Sequence, residues 1–239
     1  MPMKPVDDLI ERYYRNVSLG QSVLEETIRP LLCGGQVRVL DAGCGSNAPL
    51  VRKFACHACV VGIDLYSCSP GLPLVQGDLA KLPFCDRAFS LIYSRSVFEH
   101  LTHPEKVLQE FYRVLQPGGV CIILTPNRFD YTSMVAALTP HKFHDWFVRR
   151  VYVASAYDTF PTAYRANTPR FFRSLVKRNP GWRLRRLSGL RHYPVNLAFS
   201  RTMFRLGVAY DWALAHARLD ALQPSLLIVL EKAAAQPVS

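Results

Sequence analysis

The sequence predicts an α/β domain, a doubly wound and mostly parallel sheet with helices on both faces. Short apolar runs bounded by turn residues alternate with helical patterns along the chain, which is the first observation behind this class. The second is the stretch Val37-Arg38-Val39-Leu40 running into Asp41-Ala42-Gly43-Cys44-Gly45-Ser46, a buried strand ending in a glycine turn that opens a helix. The third is a second apolar strand, Val60-Val61-Gly62-Ile63, which ends in Asp64 about 20 residues further on.

The elements follow in order. Ile10 to Leu32 reads as an N-terminal helical region stopped by Gly34-Gly35, and Pro49 to Cys56 as the helix after the glycine turn. Leu74-Val75-Gln76 is a third strand before Gly77-Asp78-Leu79, and Phe89-Ser90-Leu91-Ile92-Tyr93 a fourth. Thr102 to Leu115 carries helix signals at both ends. Thr102 and Glu105 form a capping box, Pro104 suits the first turn, and Pro117-Gly118-Gly119 stops the helix. Val120 to Leu124 is the fifth strand. Thr168 caps a helix with Pro169 at its first position, which runs to Asn179-Pro180-Gly181. Trp182 to Leu187 and Leu226 to Leu230 give a sixth and a seventh strand.

The glycine turn is a binding site for a nucleotide-like ligand. Gly43 and Gly45 adopt backbone angles closed to other residues and let the main chain approach a ligand. Ala48 fills the place of the third small residue in a dinucleotide fingerprint, so the glycines alone leave a nicotinamide or flavin site open.

The pieces D-x-G-C-G at Asp41, G-x-D at Asp64, G-D-x-x-x-L-P-F from Gly77, Glu99-His100-Leu101 and Leu115-Gln116-Pro117-Gly118-Gly119 stand in one order and spacing. In these the chain resembles the class I S-adenosylmethionine-dependent methyltransferases, in particular the broad small-molecule group similar to methyltransferase type 11. The resemblance runs from Val37 to Asn127, about two fifths of the chain. It implies a Rossmann-like seven-stranded sheet with an antiparallel last strand, and S-adenosyl-L-methionine as cofactor. It also implies site roles. Asp41, Gly43 and Gly45 would contact the methionine end and Asp64 the ribose hydroxyls. Asp78 would meet the adenine amino group, with the Leu79 backbone beside it. Ser94 and Ser96 fall at the end of the fourth strand, where cofactor and acceptor should meet.

A length of 239 residues suits one domain with insertions. Residues 1–36 form its helical start and 37–127 its cofactor-binding core. Residues 128–167 and 192–223 are acceptor-side insertions. No run approaches the 18 or so apolar residues of a membrane span, and the N-terminus lacks a signal-peptide core, which predicts a cytoplasmic protein. The seven cysteines are scattered and read as reduced thiols. Cys56-His57-Ala58-Cys59 lacks a second ligand pair at zinc spacing, so no metal site is expected.

Methyl transfer also needs a proton acceptor. His100, in the E-H-L piece, is the first candidate, because neutral imidazole suits general-base work near neutral pH. His141 and His144 in the insertion 128–167 form a second possibility, with Asp145 to orient one of them. The competing role of each histidine is packing. In the second insertion Phe199, Met203, Leu206, Tyr210 and Leu214 recur at helical spacing and read as core packing. Phe204, Val208 and Trp212 leave the other face apolar too, which admits a second buried side, another subunit or lipid.

Charge is one-sided. Eleven of the cations behind the net charge of +11 lie between Arg149 and Arg191, against the single acid Asp158. A solvated face is the plain reading of such a run, yet arginine predominance favours an anionic partner. The expected reaction is therefore methylation of a small-molecule or lipid-linked acceptor at oxygen, with peripheral contact to an anionic membrane. Nucleic-acid methylation suits the charge. However, the fourth strand lacks a D/N-P-P-Y tetrad, and no Pro-Cys pair is present. A non-catalytic cofactor-binding module is the third alternative.

Overall fold

The computed structural model describes residues 6–17, 19–32, 37–54, 59–66, 71–130 and 161–234. Helices α1 (Asp7–Tyr14) and α2 (Gly20–Leu32) precede β1 (Arg38–Ala42), α3 (Pro49–Phe54), β2 (Cys59–Asp64), β3 (Leu74–Gln76) and β4 (Phe89–Arg95). Then come α4 (Pro104–Val114), β5 (Leu115–Pro126), α5 (Pro169–Arg178), β6 (Trp182–Leu190), α6 (Arg201–His216) and β7 (Ser225–Lys232).

The strands form one sheet in the order β3-β2-β1-β4-β5-β7-β6. β1 to β5 pair in parallel, and β7 runs antiparallel to both β5 and β6. Side-chain alternation along these strands divides the core in two. Cys121 and Ile123 of β5 and Leu226, Ile228 and Leu230 of β7 face α4 and α5, where they meet Leu108, Phe111 and Phe172. The intervening Ile122, Leu124, Leu227 and Val229 face α2 and α3, meeting Leu24, Ile28 and Val51. A sheet buried on both faces explains why its strands read as continuous apolar runs.

Local signals worked where one residue decides. The Thr168 side chain accepts from the Phe171 amide at 3.3 Å, and Pro169 opens α5 as expected. The capping box at Thr102 does not form. His103 occupies the N-cap at φ −130°, ψ 65°, without a side-chain cap bond. Pro104 is the reason, because a residue before proline is driven out of the helical region, which moves the cap one position along. The Pro117-Gly118-Gly119 turn lies within β5, whose pairing jumps from Phe89 with Leu115 to Leu91 with Val120. The N-terminal region is two helices, and the Gly20 amide at the start of α2 donates to Arg191 O at 3.1 Å.

The helix of the second insertion reverses the expected packing. Phe204 and Val208 of α6 are buried against Leu9 and Tyr14 of α1 and Val6 just before it, whereas Phe199, Met203, Leu206 and Tyr210 face outward. Of the predicted core stripe only Leu214 is buried. Asp211 fixes this rotation: it accepts from the Tyr14 hydroxyl at 3.0 Å and from Arg191 at 2.6 Å. Two apolar arcs on one helix cannot be ranked by periodicity, and the buried acid decides between them.

The basic segment is likewise partly tied down. Arg185 pairs with Glu231 and Arg191 with Asp211, while Arg186 reaches Ser188 and Thr27. Register shifts at Arg185, so Leu184 and Leu187 both pack on the α4–α5 side of the sheet. Arg149, Arg150 and Asp158 lie outside the described residues. No helix among the described residues is long and apolar enough to cross a membrane.

Candidate active site

Parallel strands place their C-terminal ends along one edge of the sheet, and the order reverses between β1 and β4. A crevice opens at such a reversal. Here it is a cavity of about 450 Å³ lined by Gly43 and Gly45 after β1, Asp64 to Tyr66 after β2, and Gly77 to Leu79 after β3. Ser96, Val97, His100 and Leu101 line it after β4, with Pro161. Its size falls in the range usual for small-molecule sites, about 300–1,000 Å³.

The two glycines do different work. Gly43 sits at φ +81°, and a Cβ there would meet Val97 Cγ2 at 2.1 Å, so the turn and the segment after β4 touch backbone to side chain. Gly45 sits at φ +66° with open space before it, a bare main-chain surface facing the cavity. Its amide donates to Asp64 Oδ2 at 2.8 Å, and the Tyr66 amide donates to Oδ1 at 3.2 Å. Gly62 lets Leu74 and the Cys44 thiol approach, which keeps β2 close to the turn. Asp78 Oδ1 accepts from the Ala80 amide at 2.8 Å, while Leu79 is buried.

A second cavity of about 310 Å³ shares Gly43 and Ser96 with the first. Asp41, Tyr93 and Arg95 line it from the strands, and α2 and α3 contribute Glu25, Ile28 and Lys53 among others. Burial, and then the neighbouring Asp64 carboxylate, push the Asp41 carboxyl up to about 7. Burial raises the Tyr93 hydroxyl as well.

His100 is half-buried on the rim of the larger cavity. Its Nδ1 lies 3.1 Å from Pro161 O. A carbonyl oxygen only accepts, so Nδ1 carries the proton in the neutral ring and Nε2 is the basic nitrogen. Nε2 is 3.9 Å from Glu99 Oε1. Glu99 is buried, with its carboxyl raised by burial, and its Oε2 accepts from the Thr125 hydroxyl at 3.2 Å. Asn167 donates to that hydroxyl at 2.6 Å, and the amides of Ala163 and Tyr164 donate to Glu99 O. The E-H-L piece thus ties the end of β4 to the chain at 161–167.

Asp41, Gly43, Gly45, Asp64, Asp78, Leu79 and His100 are all brought to these two adjoining cavities. Ser94 is not: it is fully buried in β4, its Oγ has no hydrogen-bond partner, and it lines neither cavity. Ser96 lines both, at φ +54°. Leu65 and Tyr66 also line the larger cavity and escaped the sequence reading, although two large apolar residues directly after a strand-ending acid were a signal. His141, His144, Asp145, Cys56 and His57 lie outside the described residues, among which no group of His, Cys, Asp or Glu is placed to hold a metal.

Residues 40–123 match the family model described as methyltransferase domain. The chain carries a class I S-adenosylmethionine-dependent methyltransferase domain. This methyltransferase segment is 34% identical over 110 residues to a protein of Mycolicibacterium smegmatis named probable S-adenosylmethionine-dependent methyltransferase, covering 42% of each chain. It is 25% identical over 171 residues to the ubiquinone biosynthesis O-methyltransferase of Mus musculus, covering 61% of this chain and 45% of that one. The chain thus spans less than half the length of these relatives. Geranyl diphosphate C-methyltransferase from Streptomyces coelicolor, solved with S-adenosyl-L-homocysteine, shares the fold with a TM-score of 0.53. Its identity is 14%, over 89% of this chain and 79% of that one. The methyltransferase core seen here, with its antiparallel β7, is that of a Rossmann-like domain.

Proposed function

We propose that the protein transfers a methyl group from S-adenosyl-L-methionine to an oxygen of a small or lipid-linked acceptor. The observation that carries this reading is the cavity where the strand order reverses, with the Gly45 main chain open on one wall and the Asp64 carboxylate held beside it by two amides.

The residues fit the cofactor. Asp64 offers acceptor lone pairs to ribose hydroxyls, and Leu65, Tyr66 and Leu79 offer apolar surface to a flat base. Asp78 stands at the same wall for an exocyclic amine, and Asp41 faces the adjoining cavity for a cationic amino group. When bound, the cofactor supplies a sulfonium-activated methyl. The protein's own work is orientation and removal of a proton from the acceptor. His100 Nε2 is the proton acceptor in this scheme, its tautomer set by Pro161 O. A relative that is an O-methyltransferase supports oxygen as the acceptor atom.

Incubation with cofactor labelled in the methyl group, beside lipid extract, total RNA or DNA, tests the reading. Label should enter the lipid or small-molecule fraction as a methyl ether or ester. Label in RNA or DNA would move the assignment to nucleic acid, and no label in any fraction would favour a non-catalytic module.

A further inference from the structure

Among the described residues, the outward arc of α6 lies outside the buried core and lines neither of the two cleft cavities. Met203, Leu206 and Tyr210 share one side of the helix, with Phe199 in the turn just before it, and Phe199, Met203, Leu206 and Tyr210 are 49, 40, 59 and 37% exposed. Phe129, 47% exposed, follows the end of β5. The next residue, Asp130, lines a small cavity of about 80 Å³ together with Gly207, Tyr210 and Leu214, which brings the chain after β5 up to α6. Clusters of large apolar side chains at a surface mark an interaction site.

The charges bordering the arc are basic. Arg205 and Arg218 on α6 and beyond its end, and Arg128 beside Phe129, are exposed, and Arg201 is paired with Asp8 at 2.7 Å. The helix holds one acid, Asp211, which is buried and taken by Tyr14 and Arg191. Of the exposed acids beyond the helix, Asp8 is taken by Arg201 and Asp220 follows the C-terminal end. An isologous second copy would set these cations against each other. An anionic bilayer satisfies both parts of the surface, since the apolar side chains enter the acyl boundary while the arginines meet headgroup phosphates.

We propose that the outer face of α6, with Phe129 and Arg205, docks the protein on an anionic lipid bilayer. Phe129 stands at the same sheet edge as Gly43, Asp64 and Ser96, so docking there turns the cleft side toward the membrane. That consequence rests on the proposed reaction with a lipid-linked acceptor. The docking itself does not.

Sedimentation of the full chain with two kinds of vesicle tests it: phosphatidylcholine alone, and phosphatidylcholine with about 30% phosphatidylglycerol. The protein should pellet with the mixed vesicles and stay largely in solution with the neutral ones. Leu206→Glu should weaken binding about tenfold or more, and Arg205→Gln about fivefold. Both side chains are exposed, so melting temperature and S-adenosyl-L-homocysteine binding should stay unchanged. Equal binding to both vesicles, or unaltered binding by Leu206→Glu, overturns the proposal. So does a concentration-dependent dimer that Leu206→Glu abolishes, or RNA retention that Arg205→Gln removes. Vesicle binding without methyl transfer would sink the reaction and leave the docking standing. Methyl transfer without vesicle binding would do the reverse.

Discussion

The Gly45 amide donates to the Asp64 carboxylate at 2.8 Å, which makes the turn after β1 and the acid ending β2 one unit. Removing the carboxylate strands two amides, those of Gly45 and Tyr66, as well as any ligand hydroxyl. Asp64→Ala should therefore weaken S-adenosyl-L-homocysteine binding by about 1.5–3 kcal/mol, and Asp64→Asn by less, because one oxygen remains to accept. Calorimetry reads both. Tight binding of NAD by the wild-type chain would overturn the cofactor assignment.

The two glycines of the turn should fail in different ways. Gly43→Ala places a Cβ 2.1 Å from Val97 Cγ2, at a φ of +81°, and should lower the melting temperature sharply. Adding Val97→Ala relieves the clash and leaves the left-handed backbone penalty, about 1 kcal/mol. Gly45→Ala meets nothing at φ +66°. It should cost only that backbone penalty in stability, yet lose cofactor affinity because the methyl group covers the open wall.

The contrast explains what the sequence could disclose. Asp41, Gly43, Gly45, Asp64 and Asp78 each end or follow a strand, and parallel strands deliver such positions to one edge whatever the rest of the chain does. Local order was enough there. Ser94 and Ser96 differ only in which way the chain turns as β4 ends, and the positive φ of Ser96 is a tertiary outcome. The facing of α6 depends on Asp211 meeting Tyr14, 197 residues away, which no window on the helix contains. At β6, simple alternation puts Leu184 and Leu187 on opposite faces; the register shift at Arg185 puts both on one. Leu184→Ala and Leu187→Ala should accordingly each destabilise the fold, by about 1–3 kcal/mol in denaturant titrations.

His100 gives the test of the proton acceptor. His100→Ala should lower kcat by about 10²–10⁴-fold with cofactor affinity nearly unchanged. Because the contact to Nδ1 comes from a main-chain carbonyl, Pro161→Ala should keep it and leave the rate close to wild type. Equal loss of rate and cofactor affinity in His100→Ala would make the residue a binding group. Full activity would transfer the search to His141 and His144.

Asp41 links the cofactor site to pH. Its carboxyl titrates near 7 in the folded protein, raised by burial and by Asp64, against about 3.9 in an unfolded chain. Between these values the folded state binds the extra proton. The contribution of this one group to stability is therefore fully present below about pH 4 and is lost as pH rises through about 7, by an amount on the order of a few kcal/mol. Asp41→Asn, nearly isosteric, should flatten this slope and melt higher than wild type above about pH 8. A cation seated in the cavity that Asp41 lines favours the ionised carboxylate, so cofactor binding should expel the proton where the free protein still holds it. Binding enthalpies measured near pH 6 in phosphate and in Tris should then differ, whereas at pH well above 7 they should agree. Asp41→Asn should show no buffer dependence at either pH. Proton uptake on binding, or buffer dependence that survives in Asp41→Asn, would assign the linkage to another group.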